Sequence, residues 1–410
     1  MINKIIETNS KFNLINKNDN IVIGLSGGAD SISLLYALYL IKERYNLKLY
    51  AAHVHHCIRG KEADSDLLFC ENFCKKIGVE FLYKIVNIPA LARKRKESLE
   101  LCGRKERYSF FQELAEKYNA KIATAHTSSD NIETLFLNLA RGSSLNGASG
   151  IPPKRGKIIR PIIECSREDV ENFCNEYGLE YVTDSTNLED DYSRNKIRHH
   201  VVPILKEINP NIEEAILRFT QSISNINDTI NEEARVLLKK SECKYGYLRE
   251  QLINTDNVIL NEAICILFRK YNIDPSGEKI KSVVDIIKKE GVLDLSKNIF
   301  AFCEKGVFNI VDKTNKKEYF YSVSKEYENK LVFRTRKTGD IFNFIDKNWS
   351  RTLNKALMDI KYPSVLRDYV TCLCSENTVI WCEAIGLSKD GLLLKEKHNL
   401  EIRTDSASIL

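Results

Sequence analysis

The sequence has no C-x-x-C pair, only eight prolines and no long apolar run. Its twelve cysteines are scattered along 410 residues, so neither a disulfide framework nor a cysteine-held metal cluster is indicated. No apolar stretch approaches the roughly 20 residues of a membrane-spanning helix, and the first residues contain no apolar signal segment. We therefore expect a cytoplasmic protein that does not bind membranes and whose cysteines are buried free thiols.

Two common phosphate-binding motifs are also missing. No lysine follows a glycine-rich turn as in the Walker A motif, and the dinucleotide pattern G-x-G-x-x-G is absent. Histidines and a cysteine cluster at 53–57, but adjacent residues of a strand point to opposite faces, so we expect no zinc site there. The net charge of +5 is compatible with nucleic-acid binding without being diagnostic of it.

The most informative motif in the sequence is the stretch Asn20–Ser31. It reads NIVIGLSGGADS: a short apolar strand, a glycine turn and the start of a helix. A helix N-terminus beside glycines binds anions well, because free backbone N–H groups and the helix dipole face the ligand. Asp30 is placed to hold Mg²⁺ or to cap the helix. SGGADS resembles the pyrophosphate loop (PP-loop) of the ATP pyrophosphatases, and that resemblance implies ATP binding by Ser26, Gly27, Gly28, Ala29, Asp30 and Ser31.

Apolar strands and helical patterns then alternate along the first half of the chain. We predict strands at 47–54, 81–86 and 121–125 and helices at 61–77, 97–118 and 128–140. This alternation is typical of an α/β fold with a doubly wound parallel sheet. We predict three domains: a catalytic domain (1–210), a helical domain (211–298) with a helix at 277–289, and a small α+β C-terminal domain (299–410). A long loop is expected at 141–157.

Polar residues follow the predicted strands, where ligands of such sheets bind. Asp130 and Glu133 share one helix face at a helix start, which suits a catalytic site but also simple capping. Arg104 and Arg107 are three apart on a helix, a spacing equally expected of a solvated basic face. The other candidates are His53, His126, Asn131, Arg141, Asn187, Arg194, Asn195 and Arg198.

In this order, these segments resemble the tRNA(Ile)-lysidine synthase family. The family's reaction uses ATP to adenylate the C2 oxygen of the wobble cytidine in a CAU-anticodon isoleucine tRNA; free L-lysine then displaces AMP. The resemblance implies ATP and Mg²⁺ as cofactors, tRNA(Ile) and L-lysine as partners, and leaves monomer and homodimer open. His55 departs from the family, which commonly has Asn there, and Gly103 replaces a helical Ala.

The resemblance also assigns roles. Catalysis falls to Asp30, Asp130, Glu133, Arg104 and Arg194. Nucleotide binding falls to the PP-loop with His53 and His126, and Asp30 is the candidate Mg²⁺ ligand. Substrate contacts fall to Arg107, Asn131, Arg141, Asn187, Asn195 and Arg198. We further expect Asp130 and Glu133 to bind the lysine ammonium, Arg194 or Arg198 to bind its carboxylate, and basic residues after 331 to contact tRNA phosphates.

Two alternatives use the same loop. A PP-loop tRNA thiolase would rely on paired cysteines or a cysteine-held cluster, and the sequence has no C-x-x-C pair. A non-catalytic adenine-nucleotide-binding adaptor would bind ATP without releasing pyrophosphate, and would leave the carboxylate and arginine constellations without a purpose.

Overall fold

A computed structural model describes residues 1–58, 60–143, 145–182, 193–314, 318–347, 349–404 and 407–408. Asn187, a predicted substrate contact, lies outside the described residues. The chain divides into two compact units, 1–227 and 228–410. No described helix is both long and apolar enough to cross a lipid bilayer.

The first unit contains alternating strands and helices. Its first half comprises α1 (Ile2–Phe12), β1 (Asn20–Gly24), α2 (Ala29–Tyr45), β2 (Lys48–His55), α3 (Lys61–Ile77), β3 (Glu80–Ile85), α4 (Ile88–Arg95) and α5 (Leu99–Lys117). Its second half comprises β4 (Lys121–Ala123), α6 (Ser128–Ala140), α7 (Leu145–Ala148), β5 (Lys154–Arg155), β6 (Ile158–Ile159), α8 (Arg167–Tyr177), α9 (Ser193–Lys196), a π-helical segment (Ile197–Val201), α10 (Val202–Ile208) and the start of α11 (Ile212–Ser241).

The sheet of this unit has the strand order β3-β2-β1-β4-β6-β5. All neighbours are parallel except the edge strand β5, which pairs antiparallel with β6. The centre of β1 is fully buried because helices cover both faces, and Ile23 packs with Leu34 and Leu38 of α2. On the other face Val22 packs with Phe110 and Leu114 of α5. The predicted doubly wound parallel fold is therefore confirmed.

The second unit combines helices with three further sheets. It contains β7 (Glu242–Cys243), β8 (Gly246–Leu248), α12 (Arg249–Ile253), α13 (Asn257–Lys270), α14 (Gly277–Lys289), β9 (Gly291–Asp294), β10 (Ile299–Glu304), β11 (Val307–Asp312), β12 (Tyr319–Ser322), β13 (Val332–Thr335), β14 (Ile341–Asn343) and β15 (Ser350–Thr352). It ends with α15 (Leu353–Asp359), a 3₁₀ helix (Ser364–Tyr369), β16 (Thr371–Ser375), β17 (Thr378–Cys382), β18 (Gly386–Leu387), α16 (Lys389–His398), β19 (Glu401–Thr404) and β20 (Ala407–Ser408).

Helices α13 and α14 pack on the sheet β7-β8-β11-β10-β9 through one apolar core that includes Phe268, Ile287 and Phe308. The boundary expected between residues 298 and 299 falls inside a β-hairpin, since β9 pairs antiparallel with β10. A second apolar core includes residues of the C-terminal sheet, in which Cys372 of β16 is paired with Cys382 of β17. The helical middle and β-rich end of the chain agree with the predicted fold class.

Candidate active site

The order of the strands places a crevice at the carboxyl ends of β1 and β4. From β1 the chain moves outward to β2 and β3 on one side, and β4 then begins the other side. Ligands of doubly wound sheets bind where the strand order reverses in this way. The segment 26–31 follows β1 and the segment 126–133 follows β4, so the two flank this crevice.

The PP-loop is held by its own hydroxyl groups. Ser26 N–H donates to Oγ of Ser31 at 3.2 Å, and that hydroxyl donates to the Gly28 carbonyl at 3.0 Å. Gly27 has φ +91°, and a Cβ there would lie 3.3 Å from Sγ of Cys70. Gly28 is the N-cap of α2 and has no capping side chain. The start of α2 is therefore a site for an anion such as a phosphate.

Asp30 lies in the first turn of α2, where charged residues of the segment 126–133 affect its pKa. Its Oδ1 lies 3.4 Å from Nη1 of Arg167. Burial, together with the carboxylates of Asp130 and Glu133, raises the pKa of Asp30 to about 6, while Arg167 and Arg198 oppose the shift. The PP-loop and the segment after β4 thus share one electrostatic environment. Carboxylate oxygens are ligands that Mg²⁺ prefers, so Asp30 fits the ion that accompanies ATP.

Asp130 caps helix α6 with one oxygen. The backbone N–H of Thr127 donates to its Oδ2 at 2.9 Å, completing a capping box. The other oxygen, Oδ1, lies 3.7 Å from Nη2 of Arg194. Capping therefore uses only part of the Asp130 carboxylate.

Glu133, one turn further along α6, is 1% exposed and engages two arginines. Arg194 donates from Nε to its Oε2 at 2.8 Å, and Arg198 donates from Nε to its Oε1 at 2.5 Å. Arg194 also donates to Thr134 Oγ1 at 3.1 Å. Both Glu133 oxygens are thus used to hold guanidinium groups. The side chains of Arg194 and Arg198 are 34% and 40% exposed, so each keeps surface for an anionic ligand.

Two histidines beside the crevice are neutral. Burial lowers the pKa of His126 to about 4, and the nearby guanidiniums of Arg160 and Arg194 add to the effect while Asp130 opposes it. Burial also lowers the pKa of His53. Nδ1 of His53 lies 2.9 Å from the Leu25 carbonyl, which only accepts, so this nitrogen carries the proton. Neutral rings suit a nucleotide pocket better than a fixed cation.

Asn131 is 2% exposed and holds its surroundings in place. Its Oδ1 accepts from Ile151 N–H at 2.7 Å, and its Nδ2 donates to Thr220 Oγ1 at 3.1 Å. Gly150 has φ +68°, and a Cβ there would lie 2.1 Å from Oδ1 of Asn131. Asn131 therefore anchors the loop after α7 to α6 and α11.

The remaining candidates lie on surrounding elements. Arg104 stacks its guanidinium 5.2 Å from the centroid of the Tyr108 ring on α5. Nη2 of Arg107 lies 3.4 Å from Nε2 of His56. Arg141 is exposed at the C-terminal end of α6, and Asn195 is half-buried on α9. Sequence reasoning missed Arg167, because no local pattern distinguishes it from other polar helix residues.

Several known proteins are similar to this chain. Residues 2–205 match the family model described as a PP-loop domain. The tRNA(Ile)-lysidine synthase of Clostridium tetani is 32% identical, over 98% of this chain and 97% of that protein. The tRNA(Ile)-lysidine synthase of Clostridioides difficile is 36% identical, over 79% of this chain and 74% of that protein. Among solved structures, the U34-tRNA thiolase NcsA from Methanococcus maripaludis matches with a TM-score of 0.46 and 19% identity, over 54% of this chain and 77% of that chain.

Proposed function

This chain belongs to the tRNA(Ile)-lysidine synthase family, and from that premise we propose the steps by which it forms lysidine. It is an ATP-using PP-loop enzyme that forms lysidine on tRNA(Ile). The C2 oxygen of the wobble cytidine attacks the α-phosphate of ATP and pyrophosphate leaves. The amine of L-lysine then attacks C2 and AMP leaves. The anticodon of the modified tRNA then reads the codon AUA instead of AUG.

One observation carries this proposal: β1 and β4 are parallel neighbours, so the PP-loop after β1 and the carboxylates of Asp130 and Glu133 after β4 lie at the same edge of the sheet. A site that brings ATP and an amine in turn to one cytidine needs phosphate-binding groups and ammonium-binding groups within reach of one reacting centre. The start of α2 supplies the first and the start of α6 supplies the second. His53 and His126, both neutral, border the crevice as candidate contacts to the nucleotide.

Adenylation builds negative charge on the phosphates, which the site must stabilise. The N–H groups at the start of α2 and the hydroxyl of Ser26 do so from one side. Arg194 and Arg198 do so from the other, held in place by Glu133. Mg²⁺, when bound with ATP, supplies further neutralisation of the triphosphate, and Asp30 is the residue to hold it.

Lysine recognition falls to the segment after β4. Asp130 keeps Oδ1 for the ammonium, since capping uses Oδ2. Glu133 is occupied by two arginines, so its carboxylate reaches lysine only by exchanging a guanidinium contact for the ammonium. A guanidinium released in this way is available to bind the lysine carboxylate with two parallel hydrogen bonds.

We propose that residues 331–367 contribute to tRNA binding through a smaller set of residues than the sequence suggested. Arg334 is bidentate to buried Asp340 at 2.7 and 2.8 Å, and Arg336 pairs with Asp368. Arg351 pairs with Asp359, and Arg367 is buried and donates to the Tyr362 carbonyl. Within the described residues, the exposed lysines of this segment that form no ion pair include Lys337, Lys355 and Lys361.

The test is incubation with ATP, labelled L-lysine and an isoleucine tRNA transcript bearing CAU. Label in the tRNA, with one AMP and one pyrophosphate released per lysine, is the expected result. A transcript whose wobble base is uridine is the control and should remain unlabelled. ATP binding without pyrophosphate release would favour the adaptor alternative, and tRNA sulfuration would favour the thiolase.

A further inference from the structure

Cys57, His55 and Asp64 form a nucleophile–base–carboxylate arrangement at the carboxyl end of β2. Sγ of Cys57 lies 3.4 Å from Nδ1 of His55. Nε2 of the same ring lies 3.1 Å from Oδ1 of Asp64 in the first turn of α3. None of these three residues belongs to the lysidine-forming site described above. A thiol beside a base that is in turn oriented by a carboxylate is the arrangement of an activated cysteine.

The backbone settles which ring nitrogen is the base. Cys57 N–H donates to Nδ1 of His55 at 3.3 Å, so Nδ1 carries a lone pair. The proton of the neutral ring is then on Nε2, facing Asp64. Among the described residues, Nε2 finds no aligned hydrogen bond even though Asp64 lies close. His55 is 6% exposed, so its ring is fixed by packing and its lone pair is directed at Cys57.

Cys57 also differs from the other cysteines in accessibility. Nine of the twelve are buried, and only Cys57, Cys243 and Cys265 are partly exposed. Cys57 alone of these three has a histidine nitrogen within reach of its sulfur among the described residues. It lies two residues beyond the end of β2, whose neighbour β1 leads into the PP-loop.

We propose that His55 and Cys57 form a modification site for small disulfides. Nδ1 of His55 takes the Cys57 proton, and the thiolate attacks one sulfur of the disulfide. A bond forms between Sγ and that sulfur, and the disulfide's own bond breaks. The other half leaves as a thiolate and takes up a proton, so one thiol is oxidised and one is released reduced.

The test measures modification of each cysteine in the full-length protein by dithiodipyridine, followed by peptide mass spectrometry. Cys57 is expected to react faster than Cys243 and Cys265, which serve as internal references. In Cys57→Ser the fast phase disappears. Equal rates at the three cysteines would overturn the proposal.

His55→Asn separates base assistance from mere accessibility. Asn cannot take the proton of the Cys57 thiol, so at pH 7 the variant should be modified more slowly than the wild type, by about threefold. At pH 9.5 hydroxide in solution can remove the thiol proton without His55, so the two proteins should react at similar rates. The titratable groups that the structure places against the pair are Asp64 and the neutral ring of His53. Asp64 is exposed, so Asp64→Asn preserves the fold and should give a smaller change of the same sign. A variant that is slower by the same factor at both pH values would refute the role of His55.

Discussion

Arg198 donates from Nε to Oε1 of Glu133 over 2.5 Å, joining residues 65 positions apart in the chain. With Arg194 on the other oxygen, the buried carboxylate separates two guanidiniums. Glu133→Gln removes that charge and leaves two cations facing each other. We expect a loss of about 1–3 kcal/mol of stability, less than for a fully buried pair because both arginines are partly exposed. Thermal unfolding measures this, and Glu214→Gln, in an exposed pair with Arg218, should change stability by less than about 0.5 kcal/mol.

Asp130→Asn tests lysine recognition without a large structural effect. Asn still accepts the capping hydrogen bond from Thr127, so the melting temperature should change little. Loss of a charged contact to an ammonium costs about 1.5–3 kcal/mol, so KM for lysine should rise at least about tenfold with ATP binding preserved. Asp169→Asn is the matched control, because Asp169 completes the same capping box with Ser166 on α8. Equal lysine KM values in wild type and Asp130→Asn would show that Asp130 only caps helix α6 and does not bind lysine.

The raised pKa of Asp30, about 6, predicts a pH dependence of Mg²⁺-ATP binding. Below this pKa the carboxyl is neutral and a poor ligand for the cation, so affinity rises as pH increases through 6. Between pH 7.5 and 5.5 we expect Kd to increase about fourfold, following the ionised fraction. Asp30→Asn should bind weakly with no such dependence, and Asp30→Ala should abolish turnover with the fold intact. Titration calorimetry at several pH values checks this. If Asp30→Asn retains the fourfold change in Kd, a group other than Asp30 causes the pH dependence.

Gly27→Ala should weaken ATP binding by distorting the PP-loop. Its φ of +91° disfavours any side chain, and the added methyl meets Cys70 at 3.3 Å. We expect about 1–2 kcal/mol of destabilisation and a Kd for ATP raised on the order of tenfold. Gly78→Ala is the control: Gly78 also has positive φ, at the end of α3, but faces open space. That variant should lose stability and keep ATP affinity, so equal affinities in the two variants would contradict the role of the loop.

Replacing Lys337, Lys355 and Lys361 by Gln should weaken tRNA binding and flatten its salt dependence. Removing one lysine–phosphate interaction reduces the slope of log K against log salt by about 0.7–0.9. The melting temperature should not change, because these side chains form no ion pair within the described residues. Arg334→Gln is the contrast: it leaves the buried carboxylate of Asp340 unpaired, so it should lower stability. An unchanged salt slope in the triple variant would place the tRNA contacts elsewhere.

Much of the fold follows from local patterns in the chain. The helices at 61–77, 128–140 and 277–289 have the predicted bounds, because each combines apolar periodicity with a clear start or stop signal. Helix α1 has no counterpart among the predicted elements. The loop expected at 141–157 contains α7 and β5, and distant segments contact both: Asn227 donates to the Leu145 carbonyl, and Lys154 donates to the Asn13 carbonyl.

The candidate site was harder to predict in detail than the fold. Spacing on one helix suggested that Asp130 and Glu133 act together as an ammonium site. Only the three-dimensional structure shows that Glu133 is shared by Arg194 and Arg198, since those residues arrive from another element. Residues this far apart in the chain form no local sequence pattern. The contact between Arg167 and Asp30 could not be predicted for the same reason.

The π-helical segment Ile197–Val201, which carries Arg198, has an implication for how this site tolerates insertions and deletions. A π turn holds one residue more than an α turn, and such turns are often accommodated insertions of a single residue. Deleting Ile197 would move Arg198 by one position, about 100° around the helix axis relative to Arg194. Arg198 would leave Glu133, while most of the sheet would be untouched. A one-residue deletion at Ile197 is therefore expected to be far more damaging than one of equal size in the exposed turn around Gly156.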